Sequence, residues 1–347
     1  MWYVYRESRP HDDLTALITA SQEGEIVSPR DVYCYFHLHM LDSAARSLEQ
    51  RKASLFGNHV LLVTPLNADG SIDERSTRSL VKFVIHGGVH GILALGSTGE
   101  VFCLTEAERK RFAQIVIDET GGRVPVGIGV IDSATDVSVL LAKHAEANGA
   151  DYIFTTGPYY HPHSAEGIYR HVKCIGDATA LPLMVYDGGA GIELSLPLLR
   201  RMADTIPTLH CAKLFLPYPA KISQYESATG GKVQAWAGHD QLNFLMLLYG
   251  AKGMTSAASC ILPAQQSAMF NAVQAGKIDV ARKIFHSLVG PLNSIAFANV
   301  LQYPQCYKRA LKWMGVIEHD TCKPVMEPID DVRTSELRAV LERIGVL

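Results

Sequence analysis

Lys213 lies inside an apolar run, Leu209–Phe215, where a charged amine is costly to bury. Desolvation lowers the pKa of a buried lysine from about 10.4, sometimes by several units. The neutral amine that results is the form that attacks a carbonyl carbon and forms a Schiff base. The alternative is a lysine at a strand end whose long side chain reaches solvent. Taken alone, the run favours this second interpretation.

Tyr186 poses the same choice at the end of another apolar run, Leu181–Tyr186. Next to Lys213, its phenol could carry protons to and from the carbinolamine that precedes a Schiff base. The alternative is a tyrosine that packs its ring and hydrogen-bonds its hydroxyl, and in isolation this is the favoured interpretation. The rest of the chain must decide between the two.

The stretch Gly96–Glu100, which reads Gly-Ser-Thr-Gly-Glu, separates an apolar run from a helical pattern. This order places the hydroxyls of Ser97 and Thr98, with nearby backbone N–H groups, at the carboxyl end of a strand. In α/β barrels and sheets, that end carries the chemistry. Such a turn can hold an anion. The alternative is a turn whose glycines make the bend and whose hydroxyls only cap, and the stretch alone supports both equally.

Two histidine motifs are interpreted without a metal. His161-Pro162-His163 has no third ligand suggested nearby, and its proline-interrupted loop lacks the geometry of a helix face. His239-Asp240 is predicted to form a turn and a helix N-cap rather than a ligand pair. The sequence has no Gly-x-Gly-x-x-Gly fingerprint, and we expect neither a metal nor a cofactor.

Eight apolar runs alternate with amphipathic helical patterns from about residue 55 onward. This alternation indicates βαβ units and a parallel sheet, and consecutive apolar positions are typical of strands buried on both faces. Eight strands predict an α/β fold of the (β/α)8 TIM barrel type, since a doubly wound sheet usually has fewer. The predicted strands are His59–Val63, Gly91–Leu95, Val124–Val130, Asp151–Thr155, Leu181–Tyr186, Leu209–Leu214, Val233–Ala237 and Gly253–Ala257.

Three regions follow from this pattern. The barrel is predicted to span residues 55–262, followed by a C-terminal helical region at 263–347. Residues 1–54 lack the strand–helix repeat and are predicted to be an N-terminal extension. That extension is an added element, a poorly ordered tail, or sequence upstream of a natural start at Met40.

The C-terminal region is predicted to be helical throughout. Asp279 is a predicted N-cap, and Gly276, Gly315 and Gly345 are predicted to end helices. The predicted helices are Ala264–Ala275, Asp279–Leu288, Leu292–Leu301, Tyr307–Met314 and Thr334–Ile344.

Composition excludes several classes of protein. A chain of 347 residues that is 48% hydrophobic can bury a sizeable core. A net charge of -3 with mixed signs argues against nucleic acid or a membrane surface as partner. No apolar run approaches the roughly 20 residues that span a bilayer. Seven scattered cysteines without a Cys-x-x-Cys pair, and no secretory signal, indicate reduced thiols in the cytoplasm.

Four of these residues follow one another on successive predicted strand ends: Ser97, Tyr160, Tyr186 and Lys213. With them, the sequence resembles the dihydrodipicolinate synthase / N-acetylneuraminate lyase family of class I aldolases, from about residue 55 to the C-terminus. Each motif is weak alone, but their order and spacing together are specific. The matching motifs are Val63-Thr64-Pro65, Gly96-Ser97-Thr98-Gly99-Glu100, Gly157-Pro158-Tyr159-Tyr160, Tyr186, Lys213 and Trp236-Ala237-Gly238-His239-Asp240.

The resemblance implies a barrel enzyme that works as a homo-oligomer, a dimer or a tetramer. Lys213 would form the imine with pyruvate or another 2-oxo acid, and an aldehyde would be the second substrate. Tyr186 would be the general acid/base, Ser97 a relay hydroxyl, and Tyr160 would complete the relay from a neighbouring subunit. The implied substrate-binding residues are Ser97, Thr98, Thr255, Gly188 and Gly189.

The sequence departs from the synthases after Tyr186. Their Tyr-Asn-x-Pro-x-Arg-Thr-Gly-like segment carries an arginine for the carboxylate of the second substrate. Here the segment Tyr186–Glu193 puts that position near Gly191 or Ile192, and Leu214 replaces the usual acidic residue. Glycine cannot replace a bidentate arginine contact. We therefore expect a Schiff-base lyase or aldolase whose glycines leave room for a bulkier acceptor, such as a sugar-derived 2-oxo acid.

Three alternatives stay open at this level. The first is 4-hydroxy-tetrahydrodipicolinate synthase itself, which joins pyruvate to aspartate semialdehyde. The second is a dehydratase of sugar acids that uses the same imine. The third is a non-catalytic paralogue that binds a 2-oxo acid as a sensor or scaffold.

Overall fold

Eight parallel strands close into a barrel in chain order, each paired with the next and the last with the first. The computed structural model describes residues 46–347, and residues 1–45 lie outside the described part. The predicted (β/α)8 fold is confirmed. The strands are β1 Gly57–Leu61, β2 Gly91–Ala94, β3 Val126–Gly129, β4 Tyr152–Thr155, β5 Leu183–Asp187, β6 Leu209–Leu214, β7 Gln234–Ala237 and β8 Gly253–Ser256.

Helices cover the outside of this barrel and continue beyond it. Among the described residues, no helix is both long and apolar enough to cross a membrane. The helices are α1 Leu48–Ala53, α2 Glu74–His86, α3 Glu106–Thr120, α4 Thr135–Ala147, α5 Ala165–Asp177, α6 Leu196–Thr205, α7 Ile222–Thr229, α8 Asn243–Leu248, α9 Pro263–Gln274, α10 Ile278–Ile284, α11 Gly290–Ala296, α12 Tyr303–Trp313 and α13 Asp331–Arg343.

Polar residues before the outer helices fix where those helices begin. The side chains of Asp73, Thr105, Ser164 and Ser195 each accept a hydrogen bond from the backbone N–H three residues further on. Such N-caps satisfy donors that have no partner within the helix. Each cap therefore sets the residue at which its helix begins, and the helix returns the chain to the next strand.

The barrel interior is filled by large side chains that lie over glycines of the neighbouring strand. A β-carbon at Gly91 would stand 2.4 Å from the His59 ring, and one at Gly127 would stand 2.1 Å from the Tyr152 ring. His59 Nδ1 and the Tyr152 hydroxyl share a hydrogen bond of 2.8 Å, and the Trp236 ring meets His59 edge-on. Burial lowers the pKa of His59 to about 3, so its ring is neutral near pH 7.

Only the last residues of the predicted N-terminal extension are described. Helix α1 docks on the barrel through Arg51, whose Nη1 donates to the Ala150 carbonyl at 3.1 Å and lies 3.9 Å from the Asp151 carboxylate. Ala150 and Asp151 immediately precede β4. The extension itself, which falls mostly on residues 1–45, stays a prediction.

The C-terminal region is helical, as predicted. Gly276, Gly315 and Gly345 follow α9, α12 and α13 with φ of 71°, 73° and 75°, the left-handed conformation in which helices commonly end. The predicted N-cap at Asp279 is wrong. Lys277 occupies that position and Asp279 lies in the first turn of α10, where an acidic side chain still favours the helix dipole.

A buried ion pair joins the C-terminal region to the mouth of the barrel. Lys308 of α12 contacts Glu100 at 2.5 Å, and both side chains are fully buried. The second Glu100 oxygen accepts from the Lys323 backbone N–H at 2.8 Å, and Lys308 also donates to the Thr321 carbonyl. Because buried charges are stable only when paired and hydrogen-bonded, these contacts fix the two parts of the chain together.

We expect Lys308→Met to lower the free energy of unfolding by about 3–5 kcal/mol, because Glu100 is left buried without its cation. Urea denaturation followed by circular dichroism measures this change. Arg338→Met is the matched control, since Arg338 and Glu342 form an exposed pair whose loss costs at most about 1 kcal/mol. Equal effects from the two substitutions would contradict the assignment.

Candidate active site

Lys213 and Tyr186 lie side by side on neighbouring strands at the mouth of the barrel. Their Cα atoms are register partners across β5 and β6, and the Lys213 amine is 4.0 Å from the centre of the Tyr186 ring. The Phe154 ring from β4 stands 5.3 Å from the same amine. Lys213 is 3% exposed, so the alternative of a side chain that reaches solvent is wrong. The amine lies inside an aromatic pocket.

A bulge in β6 produces this pairing. Leu183 is opposite Leu209, but Met184 is opposite Cys211, which leaves His210 as an extra residue. Without it, the register would place Ala212 opposite Tyr186. Because neighbouring residues of a strand point to opposite faces, a shift of one residue would also turn Lys213 away from the barrel interior.

The environment of Lys213 favours the neutral amine. Burial lowers its pKa to about 7, and the Asp240 carboxylate opposes this shift without cancelling it. Within the described part of the chain, the amine has no hydrogen bond or ion pair. Gly238, directly after the adjacent strand β7, leaves space for the side chain, since a β-carbon there would lie 2.4 Å from Lys213 Cε. Near neutral pH, a substantial fraction of Lys213 is therefore nucleophilic.

Asp240 is buried beneath this amine, and its predicted role as an N-cap of the next helix is wrong. Its carboxylate accepts from the Ser256 hydroxyl and from the backbone N–H groups of Ala257 and Ala258 at 3.1 and 3.3 Å. Helix α8 begins after Leu242 with no side-chain cap. Asp240 thus ties the end of β7 to the end of β8, and its charge acts on Lys213 from a fixed place.

Tyr186 stays protonated in this pocket. Burial raises the pKa of its phenol, and Tyr303 and Asp240 raise it further. A phenol that holds its proton can donate to a developing oxyanion and then take the proton back. Its ring also contacts Phe154 and Phe215, so its position is fixed on both sides.

The Gly96–Glu100 stretch forms a 3-10 turn, Ser97–Gly99, directly after β2. Thr98 is buried and Ser97 is exposed at the mouth, and the first N–H groups of such a turn have no partner within it. Leu95 and Glu100, on either side, adopt left-handed φ of 60° and 56°. Strain of this kind is held in place by surrounding structure and concentrates at functional sites.

Tyr160 lies apart from the other predicted catalytic residues. Its side chain is 90% exposed, on the loop after β4, and its backbone N–H donates to Ser133 Oγ at 3.3 Å. In the described residues of this single chain, its hydroxyl has no hydrogen bond. A relay role from a neighbouring subunit therefore stays a prediction.

The predicted binding residues Thr255, Gly188 and Gly189 are all buried. Thr255 is the second-last residue of β8, and its hydroxyl has no hydrogen-bond partner among residues 46–347. The expectation that the glycines leave room is wrong at two positions. A β-carbon at Gly188 would lie 2.6 Å from the Phe215 carbonyl oxygen, and one at Gly189 would lie 2.3 Å from the Tyr186 ring. These glycines let the backbone pack closely, and only Gly191 of this loop faces open space.

A charged cluster, which sequence patterns did not reveal, holds the loop after β5. The amine of Lys221 contacts Asp187 and Glu193, each at 2.8 Å, and donates to the Leu194 carbonyl. Asp187 also accepts from the Tyr225 hydroxyl. Asp187 follows Tyr186 directly, so these contacts fix the strand end that presents the phenol. No sequence pattern marked Lys221, which lies seven residues after the end of β6 and directly before α7.

Comparison with known proteins agrees with this geometry. The model of the dihydrodipicolinate synthetase family matches residues 55–344. This chain belongs to the dihydrodipicolinate synthetase family. It is an enzyme of the class I, Schiff-base aldolase and lyase type.

Two relatives carry the name 4-hydroxy-tetrahydrodipicolinate synthase. The protein of Thermodesulfovibrio yellowstonii is 32% identical over 293 residues, which are 84% of this chain and 99% of the relative. The protein of Syntrophobacter fumaroxidans is 31% identical with the same coverage. Similar solved structures include dihydrodipicolinate synthase from Aquifex aeolicus and YagE from Escherichia coli K12, the latter in complex with pyruvate. Each has a TM-score of 0.80 and a sequence identity of 26%. The match covers 84% of this chain and 99% of the solved chain.

We expect reductive methylation of Lys213 by formaldehyde and cyanoborohydride to follow a titration with its midpoint near pH 7. The reason is that burial depresses the pKa, so the amine is protonated below that pH and neutral above it. An ordinary lysine, with a pKa of about 10.4, would keep gaining reactivity up to pH 10. Mass spectrometry of the Lys213 peptide, normalised to exposed lysines in the same sample, measures the profile.

Asp240→Asn is the matched variant for this titration. Because the Asp240 carboxylate raises the pKa of Lys213, its neutral replacement moves the midpoint to lower pH. A midpoint that stays in place would show that Asp240 exerts no field on the amine.

Proposed function

We propose that this enzyme forms or cleaves a carbon–carbon bond next to the carbonyl of pyruvate or a related 2-oxo acid, through an imine on Lys213. The observation that carries the proposal is the buried, unpaired Lys213 amine, 4.0 Å from the Tyr186 ring. The family membership and a relative solved with pyruvate support the choice of substrate class.

The chemistry balances with these two side chains and water. The Lys213 nitrogen attacks C2 of the 2-oxo acid, and the carbonyl oxygen gains protons and leaves the carbinolamine as water. Loss of a proton from C3 turns the iminium into an enamine. The enamine C3 then attacks the carbon of an aldehyde, whose oxygen takes up a proton, and the reverse sequence cleaves the bond. The 4.0 Å distance from the Lys213 amine to the centre of the Tyr186 ring supports Tyr186 as the carrier of these protons, and its raised pKa keeps it the donor at the start.

We assign the carboxylate of the 2-oxo acid to the turn Ser97–Gly99. The turn follows β2, whereas Lys213 and Tyr186 are on β6 and β5, so the carboxylate and the imine carbon would bridge the mouth. Free N–H groups and two hydroxyls suit an anion. Thr64 Oγ1 donates to the Gly99 carbonyl at 2.7 Å and holds the turn in place. Ser97 is also proposed as the relay hydroxyl, with Tyr160 reaching it from a second subunit of a dimer or tetramer.

Incubation with pyruvate and borohydride is expected to leave a reduced, covalent adduct on Lys213, because the imine is trapped as a secondary amine. Peptide mapping locates the adduct, and Lys213→Ala loses both the adduct and turnover. Lys221 is the internal control, since it is 6% exposed like a site lysine but its amine is engaged by two carboxylates. An unmodified Lys213, or an adduct on Lys221 instead, would overturn the proposal.

The second substrate is proposed to be an aldehyde without a carboxylate at the loop after β5. The position at which the synthases carry their arginine falls near Gly191 or Ile192, and the amine of Lys221 is already shared by Asp187 and Glu193. This cluster carries two carboxylates for one amine. An anionic acceptor would meet no free cation from this cluster.

A second candidate is 4-hydroxy-tetrahydrodipicolinate synthase, which the names of the relatives favour. Its second substrate, aspartate semialdehyde, carries a carboxylate that the synthases hold with their arginine. The two candidates share the imine on Lys213 and differ only in the aldehyde.

With pyruvate fixed, we expect kcat/KM for an uncharged aldehyde such as glyceraldehyde to exceed that for aspartate semialdehyde by about 10-fold or more. A hydrogen bond to a charged group contributes about 1.5–3 kcal/mol, which corresponds to a factor of about 10–150. A synthase that carries the arginine, assayed alongside, should show the opposite order. Preference for aspartate semialdehyde in this enzyme would establish the second candidate.

A further inference from the structure

A buried hydroxyl without a partner lies in the interior of the barrel. Thr255 is on β8, its side chain is 0% exposed, and its Oγ1 has no hydrogen-bond partner among residues 46–347. The Cα atoms of Thr255 and His59 are register partners, so both side chains point into the barrel. A buried hydroxyl that makes no hydrogen bond costs free energy, and we expect it to meet a partner at some stage of function.

The aromatic rings nearest to Thr255 in the register do not supply this partner. The Trp236 ring covers Gly253, where a β-carbon would stand 2.5 Å from it. Thr255 follows Gly253 by two residues on the same face and therefore lies on the mouth side of that ring. The His59 ring lies over Gly91 of β2, which is the neighbour of β1 on the side away from β8. The hydroxyl of Thr255 thus faces the mouth of the barrel.

The Lys213 side chain reaches the same level of the barrel. It crosses from β6 over Gly238, where a β-carbon would stand 2.4 Å from both its Cγ and its Cε. Gly238 follows Ala237, whose register partner is Met254, so it is level with Thr255. The Lys213 amine likewise forms no hydrogen bond or ion pair with residues 46–347. Two unpartnered polar groups therefore lie on either side of one glycine.

A buried amide ties the strand ends that carry these groups. Asn243 Nδ2 donates to the Thr255 carbonyl at 3.1 Å, and Asn243 Oδ1 accepts from the His239 backbone N–H at 3.0 Å. His239 directly follows Gly238, so the amide holds β8 beside the glycine that the Lys213 side chain crosses. A donor held in this way is preorganised for charge that develops next to it.

The order of the strands places one substituent of the substrate on the side of β8. C2 of a 2-oxo acid carries a carboxylate, C3 and an oxygen. The carboxylate is assigned to the turn after β2, and C3 meets the acceptor beside the loop after β5. In the closed barrel, β5 and β8 lie on opposite sides of β6, which carries Lys213. The remaining substituent, the oxygen, is therefore directed toward Thr255.

We propose that Thr255 is a catalytic residue whose hydroxyl donates a hydrogen bond to the oxygen at C2 of the 2-oxo acid while the imine forms. The inference rests on the proposed function and adds a residue to the same site. When the Lys213 nitrogen adds to C2, the π electron pair of the carbonyl moves onto the oxygen. This oxygen gains one proton from the amine and one from solvent, and it leaves as water. Thr255 keeps its own proton and stabilises the charge on the oxygen before protonation.

The test is exchange of the C2 oxygen of pyruvate with water labelled with heavy oxygen, which imine formation and its reversal catalyse without an aldehyde. Thr255→Val keeps the shape of the side chain and removes the hydroxyl. It is expected to lower the maximal exchange rate about 10- to 100-fold, less than the loss of a whole oxyanion hole because Tyr186 remains. The pyruvate concentration at half-maximal exchange should change little, since the bond strengthens as charge develops. Mass spectrometry of pyruvate measures the exchange, and Lys213→Ala gives the uncatalysed background.

Thermal unfolding separates this role from a structural one. Thr255→Val removes an unpaired buried hydroxyl, so it is expected to raise Tm by about 1–3 °C while it slows exchange. Thr155→Val is the matched control, because Thr155 is equally buried at the end of β4 but donates to the Thr156 carbonyl at 3.3 Å. Thr155 also points away from the interior, since the preceding Phe154 faces the site. This control should lower Tm and leave exchange unchanged.

Thr255→Ser is expected to retain exchange, because it keeps the hydroxyl. Unchanged exchange in Thr255→Val, or equal slowing by the two valine variants, would overturn the inference. If Thr255→Val does not fold, Thr255→Ser and Thr255→Ala decide: serine must retain exchange and alanine must lose it. Exchange in the unaltered enzyme that is no faster than in Lys213→Ala would instead overturn the proposed function.

Discussion

The buried ion pair between Glu100 and Lys308 is the interaction on which the mouth of the barrel depends. Removing either charge would leave the other in a medium that cannot solvate it, so the pair forces α12 against the turn after β2. Glu100 holds a left-handed φ of 56° within this arrangement. The C-terminal helices therefore do more than cover the barrel. They also hold a strained turn in place at the mouth of the barrel, because α12 packs against it.

Two lysines at this mouth show how the same side chain acquires opposite properties. Lys308 has a carboxylate at 2.5 Å and a carbonyl at 2.8 Å, and it serves as a clamp. Lys213 is almost as deeply buried, but the nearby Asp240 carboxylate is already occupied by Ser256 and two backbone N–H groups. Asp240 is thus held as a fixed charge that only partly offsets desolvation. A buried lysine with a full partner keeps its charge, whereas one deprived of a partner favours the neutral amine that Schiff-base formation requires.

Sequence patterns predicted most of the barrel because each strand is a short, local apolar run. The predicted boundaries differ from the observed ones by only a few residues; β1, for example, begins at Gly57 rather than at His59. Lys213 and Tyr186 were found because parallel strand ends converge. Glu100 and Lys308 are 208 residues apart, and no local pattern links them. The bulge at His210 decides which face of β6 carries Lys213, and it is likewise visible only in the pairing register of β5 and β6. The expectation of open space at Gly188 and Gly189 was wrong because neighbouring atoms fill that space. The Phe215 backbone, which follows β6, lies against Gly188, and the Tyr186 ring lies against Gly189.

The site divides into a half built on rigid strands and a half built on a loop. The proposed imine and carboxylate positions lie on or directly after β2, β5, β6 and β8, and two buried clusters around Asp240 and Glu100 tie these elements. The acceptor side follows β5, where Asp187, Lys221 and Glu193 satisfy one another and leave Gly191 open. Asp187 also holds the end of the strand that carries Tyr186. A substitution at Glu193 or Gly191 that changes the acceptor preference therefore need not move the Tyr186 phenol. The loop is tied to Asp187 by Lys221, which also contacts Glu193, and by the Leu194 backbone N–H, which donates to Asp187 Oδ1 at 2.8 Å. In the proposed mechanism, these two contacts are where a new acceptor specificity would first affect turnover.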